Sequence, residues 1–159
     1  PETVRKYIVL GFRVEVERGA GEGVLIADDD YRKAGATIAT DVEAMLAMAD
    51  LVLKVKQPVF NEQKKKHEVE MLRKNSILIT FLHPAAPDSH EMVRNLQRKN
   101  ITALTMDSIP RISRAQRMDA LSSMSAVTGY KSVIMAATDR GDAPSATRTP
   151  SSRVRSETT

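Results

Sequence analysis

The densest set of side chains able to do chemistry lies just after Pro110. Arg111, Ser113, Arg114, Gln116, Arg117 and Asp119 follow within a few residues, and Ser122 stands one turn further on. Guanidinium forks, a primary amide, hydroxyls and a carboxylate this close together supply donors and acceptors that can hold a planar polar ligand in one pose. An Arg–carboxylate pair can lock an amide through charge-assisted hydrogen bonds. The same composition also suits a polar surface turn, so position has to decide. Two single residues join the set: Lys56, in Lys-Gln-Pro, and His83, in Leu-His-Pro. A solvated lysine and a loop or core histidine are their plainer readings.

The elements that would position these groups follow from apolar periodicity. Residues 2–10 read as a helix with Val4, Tyr7 and Ile8 on one face and Gly11 just beyond its end. Phe12, Val14 and Val16 alternate with Arg13, Glu15 and Glu17, a half-buried strand near a sheet edge. Gly19, Gly21 and Gly23 could open a phosphate cradle, but Val24 stands where the third glycine of a dinucleotide fingerprint belongs, so a turn is predicted. A short helix over 28–34, a short strand over 36–39 and a helix over 41–49 follow, with Met45, Leu46 and Met48 facing the core. Residues 51–55 and 76–81 are almost continuously apolar, as strands covered on both faces must be.

Residues 61–74 read as a charged helix anchored by Val69 and Leu72, its Lys64, Lys65 and Lys66 forming a solvated face. Asp88 and Glu91 read as a capping pair before a helix carrying Met92, Val93 and Leu96, and residues 102–106 as the last strand. Pro110 forbids a helical start before it. After it, Met118, Leu121, Ser122, Ser125 and Gly129 recur at the spacing of a tightly packed helix face. Strands and helices alternate with short connections, which predicts a doubly wound α/β fold: a mainly parallel, Rossmann/flavodoxin-like sheet with helices on both faces. In such sheets ligands sit beyond the carboxyl ends of the strands. Lys56, His83 and the 111–119 loop each follow a strand, so one rim and one candidate region are expected.

Bulk properties exclude several classes. A chain of 159 residues is long enough for one domain with a real core. Without cysteine there is neither a disulfide framework nor a thiolate metal site, which suits a cytoplasmic protein, and no metal is indicated. No apolar run approaches the roughly 20 residues needed to cross a bilayer, so direct membrane insertion is not expected, and the opening residues do not read as a signal peptide. The net charge of +4 raises nucleic-acid binding. The lysine run is offset by Glu62, Glu68 and Glu70, and aromatic residues do not interleave with basic ones, so that partner is not expected. Residues 138–159 contain one large aliphatic residue, Val154, and are expected to be a disordered tail.

Pro-Arg-Ile-Ser-Arg-Ala-Gln at 110–116, followed by Met-Asp-Ala-Leu-Ser-Ser and then Gly-Tyr-Lys, resembles the signature of the alpha subunit of proton-translocating NAD(P) transhydrogenases. The resemblance runs over residues 1–137. It implies the first domain of that subunit, begun after the family's opening strand and ending before the second NAD-binding domain, as a truncated gene product would. The activity implied is hydride transfer between NADH and NADP⁺, coupled in the full complex to proton translocation. The cofactors implied are NAD(H) here and NADP(H) on a partner component. By the same resemblance Arg111 holds the carboxamide side of the nicotinamide, Gln116 reaches toward the second nucleotide, Asp119 orients both and Ser122 lines the pocket. Arg117 departs from the family's usual serine and would bring an extra cation near the oxidised ring.

The partners implied are the second NAD-binding domain and the membrane and NADP-binding components, with the domain cytoplasmic and peripheral to the inner membrane. Self-association is also expected, because the last helix would otherwise expose apolar residues. Hydride exchange between two nicotinamides needs no base and no metal, only the reacting carbons held about 3 to 3.5 Å apart with water excluded. Two alternatives stand beside this reading. Lys56 and His83 resemble the lysine and histidine sites of alanine dehydrogenases, and the chain could instead be a non-catalytic interaction domain.

Overall fold

Alternating short strands and helices occupy residues 1–109, and a single long helix follows. The computed structural model describes residues 1–139. They fall into two units, Pro1–Ile109 and the segment from Pro110 onward.

In the first unit α1 (Glu2–Val9) buries Val4, carries the i,i+4 pair Glu2–Lys6 at 3.2 Å and ends at Gly11, whose φ of +88° suits glycine. Next come β1 (Glu15–Glu17), α2 (Asp28–Lys33), β2 (Thr37–Ala39) and α3 (Val42–Met48). The carboxylate of Asp41 caps α3 by accepting from the Glu43 amide at 3.1 Å. Beyond them lie β3 (Leu51–Leu53), β4 (Phe60–Asn61), β5 (Lys66–His67), α4 (Glu68–Met71), β6 (Ile77–Thr80), α5 (His90–Arg98) and β7 (Thr102–Thr105).

β1 and β2 form a parallel pair in which Val16 faces Ile38. β3, β6 and β7 form a parallel sheet in that order, Leu51 facing Ile77 and Ile77 facing Thr102. The α/β class and the parallel pairing are as the alternation predicts. The main core gathers Leu46, Val69, Met71, Leu72, Leu78, Leu82, Met92, Leu96 and Ile101, each such side chain worth roughly 1.5–3 kcal/mol when fully buried. A smaller cluster of Val4, Ala34 and Ala36 packs with Val14, Val16 and Tyr31.

Several expectations are corrected. Residues 61–74 do not form one helix. The Asn61 side chain accepts from the Gln63 and Lys64 amides, both at 3.0 Å, and Lys65 takes φ +51°, which reverses the chain into the antiparallel β4–β5 hairpin and leaves only the short α4. Val69 and Leu72 are still its anchors, both buried. The lysine run is not simply solvated, since Lys64 bonds Asp41 at 2.8 Å and Lys66 bonds Glu43 at 2.6 Å.

The 51–55 run is not covered on both faces, since Leu53 and Val55 are exposed; among the described residues β3 pairs with β6 alone. Ile77 of β6 and Met48 of α3 are exposed as well. The first strand is shorter than its alternation, because the Phe12 amide bonds the Tyr7 carbonyl at 3.0 Å and the two rings meet edge to face. Asp88 and Glu91 make no capping pair; Pro87–Ser89 is a 3₁₀ turn that leads into α5 without a side-chain cap. The glycine segment is a turn, with Gly19 at φ +74° and a 3₁₀ turn over Glu22–Val24.

In the second unit a 3₁₀ turn at Ser113–Ala115 precedes α6 (Ala120–Asp139). The small-residue face predicted to pack tightly is exposed: Met118 lies open, and a Cβ added at Gly129 would meet nothing. Thr138 and Asp139 belong to α6, whereas the rest of the 138–159 tail lies outside the described residues. Among the described residues no helix is long and apolar enough to cross a membrane.

Candidate active site

At the carboxyl ends of β3, β6 and β7 the chain delivers Lys56, His83 and Asp107 in turn. Lys56 is exposed, and its carbonyl accepts from the Thr80 hydroxyl at 2.9 Å, which ties the loop after β3 to the end of β6. Next to it, the Oε1 atom of Gln57 is buried without a hydrogen-bond partner.

His83 takes φ +47°, the left-handed region that a histidine rarely adopts. The successive amides of Leu82 and His83 both donate to one oxygen, Oδ2 of Asp107, each at 2.8 Å. Converging N–H groups of this kind form a concave anion-binding turn, here filled by a carboxylate from the neighbouring strand end. The Thr105 hydroxyl donates to the same oxygen at 2.6 Å, and His83 Nδ1 lies 2.8 Å from Oδ1. Burial pushes the Asp107 carboxyl up. The bond from Thr105, the amides of His83 and Leu82 and the facing imidazole outweigh it, so the group lies below its ordinary value. With Nδ1 held by the carboxylate, Nε2 is the nitrogen His83 offers to a ligand. Its ring stacks on Phe81, centroids 6.1 Å apart.

Sequence reasoning named Lys56 and His83 but gave no role to Thr105 or Asp107. The available signal was Asp107's position just past a strand, the same place that marked the other two.

Arg111, Gln116, Asp119 and Ser122 lie in the second unit, within one turn and the start of α6. Asp119 acts as a helix cap: Oδ1 accepts from the Ser122 amide at 3.0 Å and Oδ2 from the Ser122 hydroxyl at 2.5 Å. The Asp119 amide donates to the Gln116 carbonyl at 3.3 Å, fixing the turn between them. Asp119 is buried and its carboxyl lies below the ordinary range, chiefly through the Ser122 hydroxyl and amide and further through the charge of Arg111. Arg111 and Gln116 are exposed, and their side chains take no part in these bonds, so their donors are available to a ligand. Arg117 is exposed on the same turn. Among the described residues no three His, Asp or Glu side chains are grouped so as to hold a metal ion.

Residues 1–128 match the family model described as alanine dehydrogenase/PNT, N-terminal domain. The chain belongs to that family. Among relatives of this alanine dehydrogenase/PNT domain, the first part of NAD(P) transhydrogenase subunit alpha from Rhodospirillum rubrum is 44% identical over 134 residues, which is 84% of this chain and 34% of that protein. Alanine dehydrogenase 1 of Staphylococcus aureus is 39% identical over 137 residues, 86% of this chain and 33% of that one. The crystal structure of transhydrogenase from Sinorhizobium meliloti superposes with a TM-score of 0.75 at 39% identity, covering 86% of this chain and 38% of that chain. The chain thus spans about a third of the length of these relatives. Both branches of the family are represented among them.

Proposed function

We propose that this alanine dehydrogenase/PNT domain serves in an NAD(P) transhydrogenase, where it helps hold NAD(H) for hydride transfer to NADP⁺ bound on a partner component. The observation that carries the reading is the 111–122 segment. It joins a capped and ionised Asp119, an Arg111 close enough to depress its pKa and an outward Gln116 amide within one short stretch. A nicotinamide carboxamide is planar, with one acceptor and two donors. The Arg111 guanidinium suits the acceptor, and the Asp119 carboxylate suits an N–H. Gln116 would orient the second nucleotide, and Ser122 holds Asp119 in place. NAD(H) itself supplies the hydride; these residues orient it and exclude water. In the assembled enzyme the domain sits with the second NAD-binding domain and with the membrane and NADP-binding components. It lies on the cytoplasmic side, and its transfer step is coupled there to proton translocation. The exposed Met124, Val127, Tyr130 and Val133 of α6 support a homo-oligomer.

Calorimetric titration of NADH into the purified chain tests the binding step, with saturable binding below millimolar expected and heat of dilution alone refuting it. Gln116→Ala should leave NADH affinity nearly unchanged and slow hydride transfer to NADP⁺ on an added partner component. Unchanged turnover removes Gln116 from the mechanism.

A second reading, an alanine dehydrogenase-like oxidoreductase, is favoured by one observation: the ordered His83–Asp107 pair at the same end of the parallel sheet as Lys56, whose carbonyl accepts from Thr80 at the end of β6. That chemistry moves a proton and binds a carboxylate, which His83 Nε2 and the Lys56 ammonium could serve. NADH appearing on addition of alanine and NAD⁺ assigns this branch.

A further inference from the structure

Lys56 sits within a short loop whose two ends are fastened by one carboxylate. The loop leaves β3 at Lys54, whose amide makes a last ladder bond to the Ile79 carbonyl at 3.0 Å. It ends at Val59, just ahead of β4. Glu68, the first residue of α4, reaches both points. The Lys54 ammonium donates to its Oε1 at 2.7 Å and to its Oε2 at 2.6 Å, and the Val59 amide donates to Oε2 at 3.0 Å. The Glu68 amide in turn donates to the Val59 carbonyl at 2.9 Å, so both backbone polar groups of Val59 are held by one residue.

Between these ends the backbone has little freedom. Pro58 is buried and its ring fixes φ. The hydroxyl of Thr80, a fully buried residue, donates to the Lys56 carbonyl at 2.9 Å, while the Lys56 side chain stays exposed. The Lys54–Glu68 pair is partly shielded, its side chains 32% and 14% exposed, so salt weakens it less than a pair on the open surface. Its hydrogen bonds are of the charge-assisted, stronger kind. A pair that merely joined β3 to α4 would need only Lys54. The added bond from Val59 brings the far end of the loop to the same carboxylate.

We propose that Glu68 is a positioning residue for Lys56, stapling Lys54 to Val59 so that the loop presents the Lys56 ammonium at one fixed place on the rim that also carries His83. The purpose of that placement rests on the alanine dehydrogenase-like reading above, in which the ammonium binds a substrate carboxylate; the staple itself is judged separately. A lysine is a point charge on a flexible four-carbon stem, so the place where the stem starts decides where the charge can act. In a site that works by orientation, a misplacement of about 1 Å costs on the order of a hundredfold in rate. Glu68 touches no substrate and acts through the loop.

The test compares the unaltered full chain with Lys54→Met, Lys54→Arg, Glu68→Ala and Lys56→Ala. It reads NMR relaxation at the Val55, Lys56 and Gln57 amides and titration with pyruvate, the 2-oxo acid formed when alanine is oxidised. Lys54→Met and Glu68→Ala should lower the order parameters of those amides from about 0.85 to below about 0.6, with the amides of Leu78 and Ile101 unchanged. Lys54→Arg keeps the charged pair and should keep the loop ordered. Pyruvate should bind saturably to the unaltered chain and to Lys54→Arg. It should bind roughly tenfold more weakly to Lys54→Met, where binding must also order about one more residue of backbone, and not at all to Lys56→Ala. An ordered loop in both Lys54→Met and Glu68→Ala, a loosened loop in Lys54→Arg, or loosening that extends to Leu78 and Ile101 overturns the staple. Equal pyruvate affinity of Lys54→Met and the unaltered chain, with Lys56→Ala unable to bind, overturns the positioning role. Pyruvate binding that is absent, or indifferent to Lys56→Ala, removes the alanine dehydrogenase-like reading instead, and the loop amides still decide the staple.

Discussion

The His83 rim and the 111–122 segment both present a depressed carboxylate as their organising group, yet they are built in different ways. Asp107 takes one bond from Thr105 two residues before it but draws its amide donors from Leu82 and His83, 25 and 24 residues away, so the sheet must form before that carboxylate is satisfied. Asp119 draws both of its side-chain bonds from Ser122, three residues away. One constellation is a product of tertiary folding, and the other is a local helix cap.

The contrast is broken most forcefully at Leu78, the most deeply buried large residue of β6. Leu78→Ala should lower stability by about 3–4 kcal/mol in urea unfolding and loosen the His83–Asp107 pair, while the Asp119 cap keeps its NMR signature. Loss of both together would show that the cap is not local.

Asp107→Ala comes next. It strips a shared partner from two amides, a hydroxyl and an imidazole, at a cost of about 2–3 kcal/mol in the same measurement. The pH dependence sharpens the point. Because the folded Asp107 pKa lies below the ordinary value of 3.8, its contribution is complete above that value and is lost as pH falls through the lower folded one. The alanine variant should lack this part of the acid-side loss, and identical acid profiles would dismiss the linkage. The smallest effect belongs to Asp119→Ala. Exchange at the Ser122 and Ser123 amides should quicken several-fold with the unfolding midpoint almost unmoved, whereas a large midpoint shift would make Asp119 part of the core.

Legibility in the sequence follows the same division. Helices α1, α2 and α3 and the parallel strands could be read from apolar period and short connections, and the 111–122 cluster could be read because its members are near in sequence. The stretch from Asn61 misled because its charged residues match a solvated helix. What reverses the chain there is an Asn61 side chain on two amides and lysines held by Asp41 and Glu43 at α3, each pair 23 residues apart. The exposure of Leu53 and Val55 was hidden for a related reason: an apolar run states that a strand can be covered, not that a neighbour is present to cover it.

The amino-acid sequence by itself determined the α/β alternation and the clustering of polar side chains over 111–122, because each rests on spacings within a few residues; their roles as a nicotinamide clamp follow from the family resemblance and are proposed here. Only the tertiary structure decided that Asp107 and Thr105 organise His83 and that Lys64 and Lys66 are held by Asp41 and Glu43 at α3. These depend on which distant segments meet, and local periodicity carries no information about that.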